Sequence, residues 1–193
     1  MASSTRTALL AAAEAVLVEQ GVNALSVRRI GEAAGLNPTL VTYHFGSLVN
    51  LLDELCTHNL EPIERQWQVI GTGDPAPVSL DAVLHAWLAP MLQPAAFTDS
   101  GRALVVLDEL AAHGEPALRA RILGAMTSFA ERLRGVLGPM LPGLDPPVLR
   151  SRLRFISGAA LGPPPRVRTP SPAGPQSDDL AELLAFARAA LRP

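Results

Sequence analysis

The chain has 193 residues, 48% of them apolar, with a formal net charge of −2 and one cysteine. That length suits one all-helical domain with a good core, or a small domain beside a larger one. No apolar run reaches the roughly 20 residues of a bilayer span. A lone cysteine excludes an internal disulfide, and a near-neutral balance whose every basic side chain is Arg does not advertise nucleic-acid binding.

In chain order, Leu9, Ala12, Ala13, Val16 and Leu17 fall at i, i+3, i+4, i+7 and i+8, predicting a helix over about 5–20. Gly21 is expected to end it as a left-handed C′ residue. Glu14 and Glu19 inside that run argue against a secretory segment, and a cytoplasmic protein is expected. Ser26 caps a second helix through the amide of Arg29, with Val27, Ile30 and Ala34 on the buried face, ending at Gly35. Asn37 caps a third helix and Pro38 takes N1, where its missing N–H costs nothing. Val41 and Phe45 face inward from that helix. Ser47 caps a longer helix through "LVNLLDELCTHNLEPIERQWQVI", bent or interrupted near Pro62.

"GTGDPAP" is a breaker cluster. Helical patterns follow over about 79–92, 102–113, 116–137 and 147–161, with Gly114 and Gly138 as stops and Pro116 as a start. The stretch 162–177, "GPPPRVRTPSPAGPQS", has no apolar period and is expected to be an extended, mobile loop. Asp178 and Asp179 lie in the first turn of a last helix, where carboxylates suit the helix dipole. No strand-like alternation or repeat occurs, so the fold class is all-α.

The first three helices together form a helix-turn-helix unit braced by a preceding helix. Thr39, Leu40 and Thr42 are placed to reach base edges, the Leu and Thr methyls meeting thymine methyls. Tyr43 and His44 are placed to bond phosphates, His44 more strongly when protonated. The amides of Val27 and Arg28 sit at a helix N-terminus, where a phosphate is favoured. Arg28 adds charge, and Arg6 is expected to reach the backbone or minor groove from a flexible arm. Ser26, Asn37, Pro38 and Ser47, at the helix ends, complete the expected DNA-facing set.

The run "TALLAAAEAVLVEQGVNALSVRRIGEAAGLNPTLVTYHFGS" resembles the N-terminal domain of TetR-type transcriptional regulators. The likeness covers roughly residues 5–56 and includes Gly21, Ser26-Val27-Arg28, Ile30, Ala33-Ala34-Gly35 and Tyr43-His44-Phe45. It implies a homodimeric, all-α DNA-binding repressor with a variable ligand-binding C-terminal domain; no cofactor is expected. A helix-turn-helix domain over 1–50 would carry a helical ligand-binding and dimerisation domain over 51–193. Two departures stand out: Leu48 replaces a usual Lys after the Ser47 position, and Leu40 replaces a small polar residue or Ala. Residues 1–60 set Arg6, Arg28 and Arg29 against Glu14, Glu19, Glu32, Asp53 and Glu54. A small counterion-release contribution follows, hence modest affinity and shallow salt dependence.

For a small effector, Trp67, Trp87, Met91, Phe97, Met126 and Phe129 offer apolar lining, and His85, Arg102 and His113 polar anchors; for each residue alone, core packing is the competing role. Leu149, Leu153, Ile156, Ser157 and Ala160, with Leu180, Leu183, Leu184, Ala187 and Leu191, form stripes suited to a four-helix dimer interface; packing within one chain is the alternative. A homodimer would present two recognition helices to an inverted-repeat duplex. Glu109 and His113 lie four apart without a third ligand, so no metal site is expected. No nucleophile elbow, Walker loop or dinucleotide fingerprint occurs, and no catalytic residue or enzyme activity is expected. Cys56 reads as a small buried hydrophobe. The competing function is a dimeric small-molecule sensor or scaffold on the same fold without specific DNA binding.

Overall fold

The computed structural model describes residues 2–72, 79–99, 101–162 and 177–192. The breaker residues 73–77, and residues 163–176 of the Pro-rich loop expected at 162–177, lie outside the described residues; Ser177 itself opens the last helix. Among the described residues the chain is helical, with one isolated bridge between Pro94 and Arg102 and no sheet. Two compact units divide it; unit 1 holds 2–61, 94–99 and 101–123, and unit 2 holds 62–72, 79–93, 124–162 and 177–192.

Unit 1 is built on α1 (Ala2–Gln20), α2 (Val27–Ala34), α3 (Thr39–Phe45), the first part of α4 (Leu48–Trp67) and α7 (Ala103–His113). All five residues of the predicted α1 stripe are buried, and α1 packs on both α2 and α7. The helix starts three residues earlier than the apolar pattern predicts. Gly21 has the expected positive φ, 80°, but its ψ of 166° is not left-handed helical. It turns the chain directly into a 3-10 turn, Val22–Ala24.

Unit 1 also buries a carboxylate. Glu14 has no exposed surface and accepts from Asn59 Nδ2 at 2.8 Å, the Phe97 amide at 2.7 Å and the Thr98 hydroxyl at 3.1 Å. Asn59, buried as well, accepts from the Ala96 amide at 3.1 Å and donates to the Leu55 carbonyl at 3.0 Å. A charge is tolerable inside a protein only when its lone pairs are satisfied in this way. The network draws the 94–98 segment onto α1 and α4.

Unit 2 contains the end of α4, the single turn α5 (Val69–Thr72), α6 (Leu80–Leu88) with a following 3-10 turn (Ala89–Leu92), the later part of α8 (Pro116–Met140), α9 (Pro146–Leu161) and α10 (Ser177–Ala190). Ser79 caps α6, accepting from the Ala82 amide at 3.2 Å. Packing of α10 on α6 and α9, and of α9 on the 3-10 turn, buries the Leu-rich stripes of both C-terminal helices.

Neither Pro62 nor Gly138 interrupts its helix. Pro62 sits inside α4, which continues to Trp67 before Ile70 turns extended (ψ 108°) and Gly71 takes φ 84°. Gly138 does not stop α8, which runs on to Met140 with Pro139 inside it. Each proline removes the amide that would bond the carbonyl four residues earlier in its helix. No helix among the described residues is long and apolar enough to cross a membrane.

Candidate nucleic-acid interface

The turn between α2 and α3 is fixed by residues whose chemistry suits their positions. Ser26 Oγ accepts from the Arg29 amide at 3.1 Å, capping α2 as its spacing predicts. Gly35 closes α2 in the left-handed conformation (φ 64°, ψ 28°), the region that favours glycine. Gly31 is equally constrained, because a Cβ there would lie 2.7 Å from the Pro38 Cα. Asn37 Oδ1 accepts from the Thr39 amide at 3.0 Å and from its hydroxyl at 2.8 Å. Pro38 is helical (φ −54°, ψ −29°), so Asn37 is the working cap and Pro38 the first helical residue.

From that entry α3 buries Val41 and Phe45 and leaves Thr39, Thr42 and Tyr43 exposed, Tyr43 to 80%; Leu40 and His44 are half-buried. The Tyr43 and His44 rings meet edge to face at 5.0 Å. Behind α3, Ser47 Oγ accepts from the Asn50 amide at 3.1 Å, and Asn50 Nδ2 donates to the Phe45 carbonyl at 2.8 Å. Asn50 was not among the predicted residues; its pairing with the last carbonyl of α3 is a tertiary cap that spacing alone does not announce.

Arg6 departs from the flexible-arm expectation. It lies within α1, donates to Glu54, and stacks over the Phe45 ring at 4.8 Å from its centroid. Arg28 Nε donates to Glu32 at 2.7 Å across one helical turn, and Arg29 donates to Gln20 at 3.2 Å. The hydrogen bond from Arg28 holds the Glu32 carboxyl below its ordinary range, and the same bond raises the guanidinium. Val27 is half-buried, and the hydroxyl of Ser26 is committed to its cap.

Of the pocket candidates, Trp67, His85, Trp87, Met91, Met126 and Phe129 fall in unit 2, and Phe97, Arg102 and His113 in unit 1. Trp67 stacks on Phe129 with centroids 3.7 Å apart and donates its indole N–H to the Trp87 carbonyl at 2.9 Å. Met91 is buried, Met126 half-buried and His85 exposed. Phe97 meets His58 edge to face at 5.0 Å, Arg102 precedes α7, and His113 lies 3.6 Å from Glu109. Among the described residues no three His, Cys, Asp or Glu side chains gather as a metal site would require.

The predicted interface stripes are covered within the chain. Leu149, Leu153, Ile156, Ala160, Leu183, Leu184, Ala187 and Leu191 are all buried in unit 2, and Leu180 and Ser157 half-buried, the latter bonding the Leu153 carbonyl at 3.0 Å. The exposed apolar side chains of α9 and α10 are others: Val148, Phe155 at 61% and Phe186 at 47%.

Residues 9–55, which contain this whole turn, match the family model described as bacterial regulatory proteins, tetR family. This segment is similar to the DNA-binding part of that family. No curated protein sequence matches the chain. Among solved structures, native NalD of Pseudomonas aeruginosa, titled the secondary repressor of the MexAB-OprM multidrug efflux pump, is 22% identical with a TM-score of 0.65, over 98% of each chain. The TetR family transcriptional regulator PfmR of Thermus thermophilus is 20% identical with a TM-score of 0.65, over 93% of this chain and 97% of its own. At these identities the likeness is one of fold, and it extends over nearly the full chain.

Proposed function

We propose that the protein is a transcriptional repressor that binds an inverted-repeat operator as a homodimer and is released by a small, largely apolar effector. The observation that carries the reading is α3 itself: a short helix braced by Val41 and Phe45, entered through Asn37-Pro38, presenting Thr39, Thr42 and Tyr43 to solvent on a tetR-family segment. Threonine methyls and hydroxyls suit base edges, and a phenol hydroxyl suits a phosphate. The second copy uses the face of α9 and α10 bearing Val148, Phe155 and Phe186, since the Leu stripes are consumed inside the protomer.

The effector reading rests on α4, which carries the Ser47 cap at its start and Trp67, against Trp87 and Phe129, at its end. A ligand that repacks Trp67 displaces that helix and with it the spacing of the two α3 helices. Such a ligand releases DNA only by as much as it prefers the non-binding state, so effector and operator weaken each other equally. A second reading, a sensor without specific DNA binding, is favoured by Leu48 and by the engagement of Arg6, Arg28 and Arg29 inside the protomer. Selection of the purified protein against random duplex DNA separates the two: enrichment of an inverted repeat supports the repressor, and no enrichment even at low salt supports the sensor.

A further inference from the structure

Three arginines lie in the first 60 residues, and each is engaged within the protomer. They are not engaged alike. Arg6 is pinned twice, by Glu54 and by the Phe45 ring. Arg29 donates to a neutral amide of Gln20, so a phosphate that displaces it leaves no charge behind. Arg28 alone is held by a carboxylate in an open setting, with side chains 85% and 47% exposed for Arg28 and Glu32.

A carboxylate offers a guanidinium the same planar pair of acceptor oxygens that a phosphate does. We propose that Glu32 is a built-in competitor for DNA phosphate, occupying Arg28 in the free protein and displaced from it when a duplex docks. The inference rests on the DNA-binding reading and concerns how that binding is tuned. An exposed ion pair is weak in water, so the exchange is accessible. Its consequence is in the counterions. An unpaired arginine meeting a phosphate releases close to one condensed cation, whereas a displaced Glu32 keeps a cation beside the interface and cancels much of that release. Glu32 therefore holds affinity down and flattens its salt dependence.

The test uses a labelled duplex of random sequence, titrated by fluorescence anisotropy across a salt series with the full chain, Glu32→Gln, Arg28→Gln and the double variant. Glutamine keeps the helix propensity of the position and removes only the charge, and thermal melts verify that all four proteins are folded. The expected result is that Glu32→Gln binds about three-fold tighter at low salt. Its log–log salt slope steepens by up to about 0.9 for each protomer bound. In the Arg28→Gln background both gains disappear. Equal slopes for wild type and Glu32→Gln overturn the inference while leaving DNA binding intact, as does a gain that survives in the Arg28→Gln background. If neither wild type nor Glu32→Gln binds the duplex at low salt, the DNA-binding reading falls and the inference falls with it.

Discussion

Glu14 gives the sharpest stability test. The carboxylate is fully buried and accepts from Asn59, the Phe97 amide and the Thr98 hydroxyl. Glu14→Ala removes the acceptor of the Phe97 amide, of the Thr98 hydroxyl and of one of the two Asn59 Nδ2 protons, the other staying on the Leu55 carbonyl; each donor left unpaired costs about 1–3 kcal/mol, and a small cavity opens besides. A total of about 3–5 kcal/mol follows. For a chain of this size that lowers Tm by roughly 10 °C. Urea and thermal unfolding at one fixed protomer concentration measure it, since association contributes to apparent stability. Asn59→Ala is expected to cost a similar amount, and the double variant less than the sum, because the two side chains serve one network. Amide exchange at Phe97 is expected to rise in Glu14→Ala well before global unfolding. A loss below about 1 kcal/mol, within the range of an ordinary surface substitution, or strict additivity with Asn59→Ala, refutes the reasoning.

The remaining expectations concern the interface and the assembly. Gly31→Ala forces a Cβ onto the backbone and ring of Pro38, costing about 1–3 kcal/mol; both the melting temperature and duplex affinity are expected to fall, and a wild-type melt contradicts the packing described. Phe155→Glu and Phe186→Glu are expected to give folded monomers in sedimentation equilibrium. Leu153→Ala, on the buried face, instead costs about 2–5 kcal/mol of protomer stability. A Phe155→Glu protein that remains dimeric places the interface elsewhere.

What could be read from sequence was whatever is decided within one helical turn. The Ser26, Asn37 and Ser47 caps each join a side chain to an amide two or three residues on, and all three form as their spacing requires. The positive φ of Gly21 and Gly35 was equally legible, although the ψ of Gly21 depends on the 3-10 turn that follows. The partners of Glu14 stand 45, 83 and 84 positions away in the chain, so nothing local distinguishes it from the exposed Glu19. The same blindness affects α9 and α10. A Leu stripe announces that one face is covered, and not whether the cover is the same chain or a second copy. Phe155 and Phe186 sit off those stripes, where a single aromatic carries no periodic signal. The Arg28–Glu32 pair obeys an i, i+4 spacing, whereas the partners of Arg6 and Arg29 stand 48 and 9 positions away, beyond the reach of any local pattern.

If α3 reads base edges, the most direct measurement is a selection from random duplex DNA run in parallel with wild type and Thr42→Ala. Wild type is expected to enrich an inverted repeat with half-sites about one helical turn apart. Thr42→Ala is expected to enrich the same repeat with preference relaxed at one symmetry-related pair of positions. Identical preferences for the two proteins, or no enriched repeat with wild type at low salt, would contradict a base-reading role for α3.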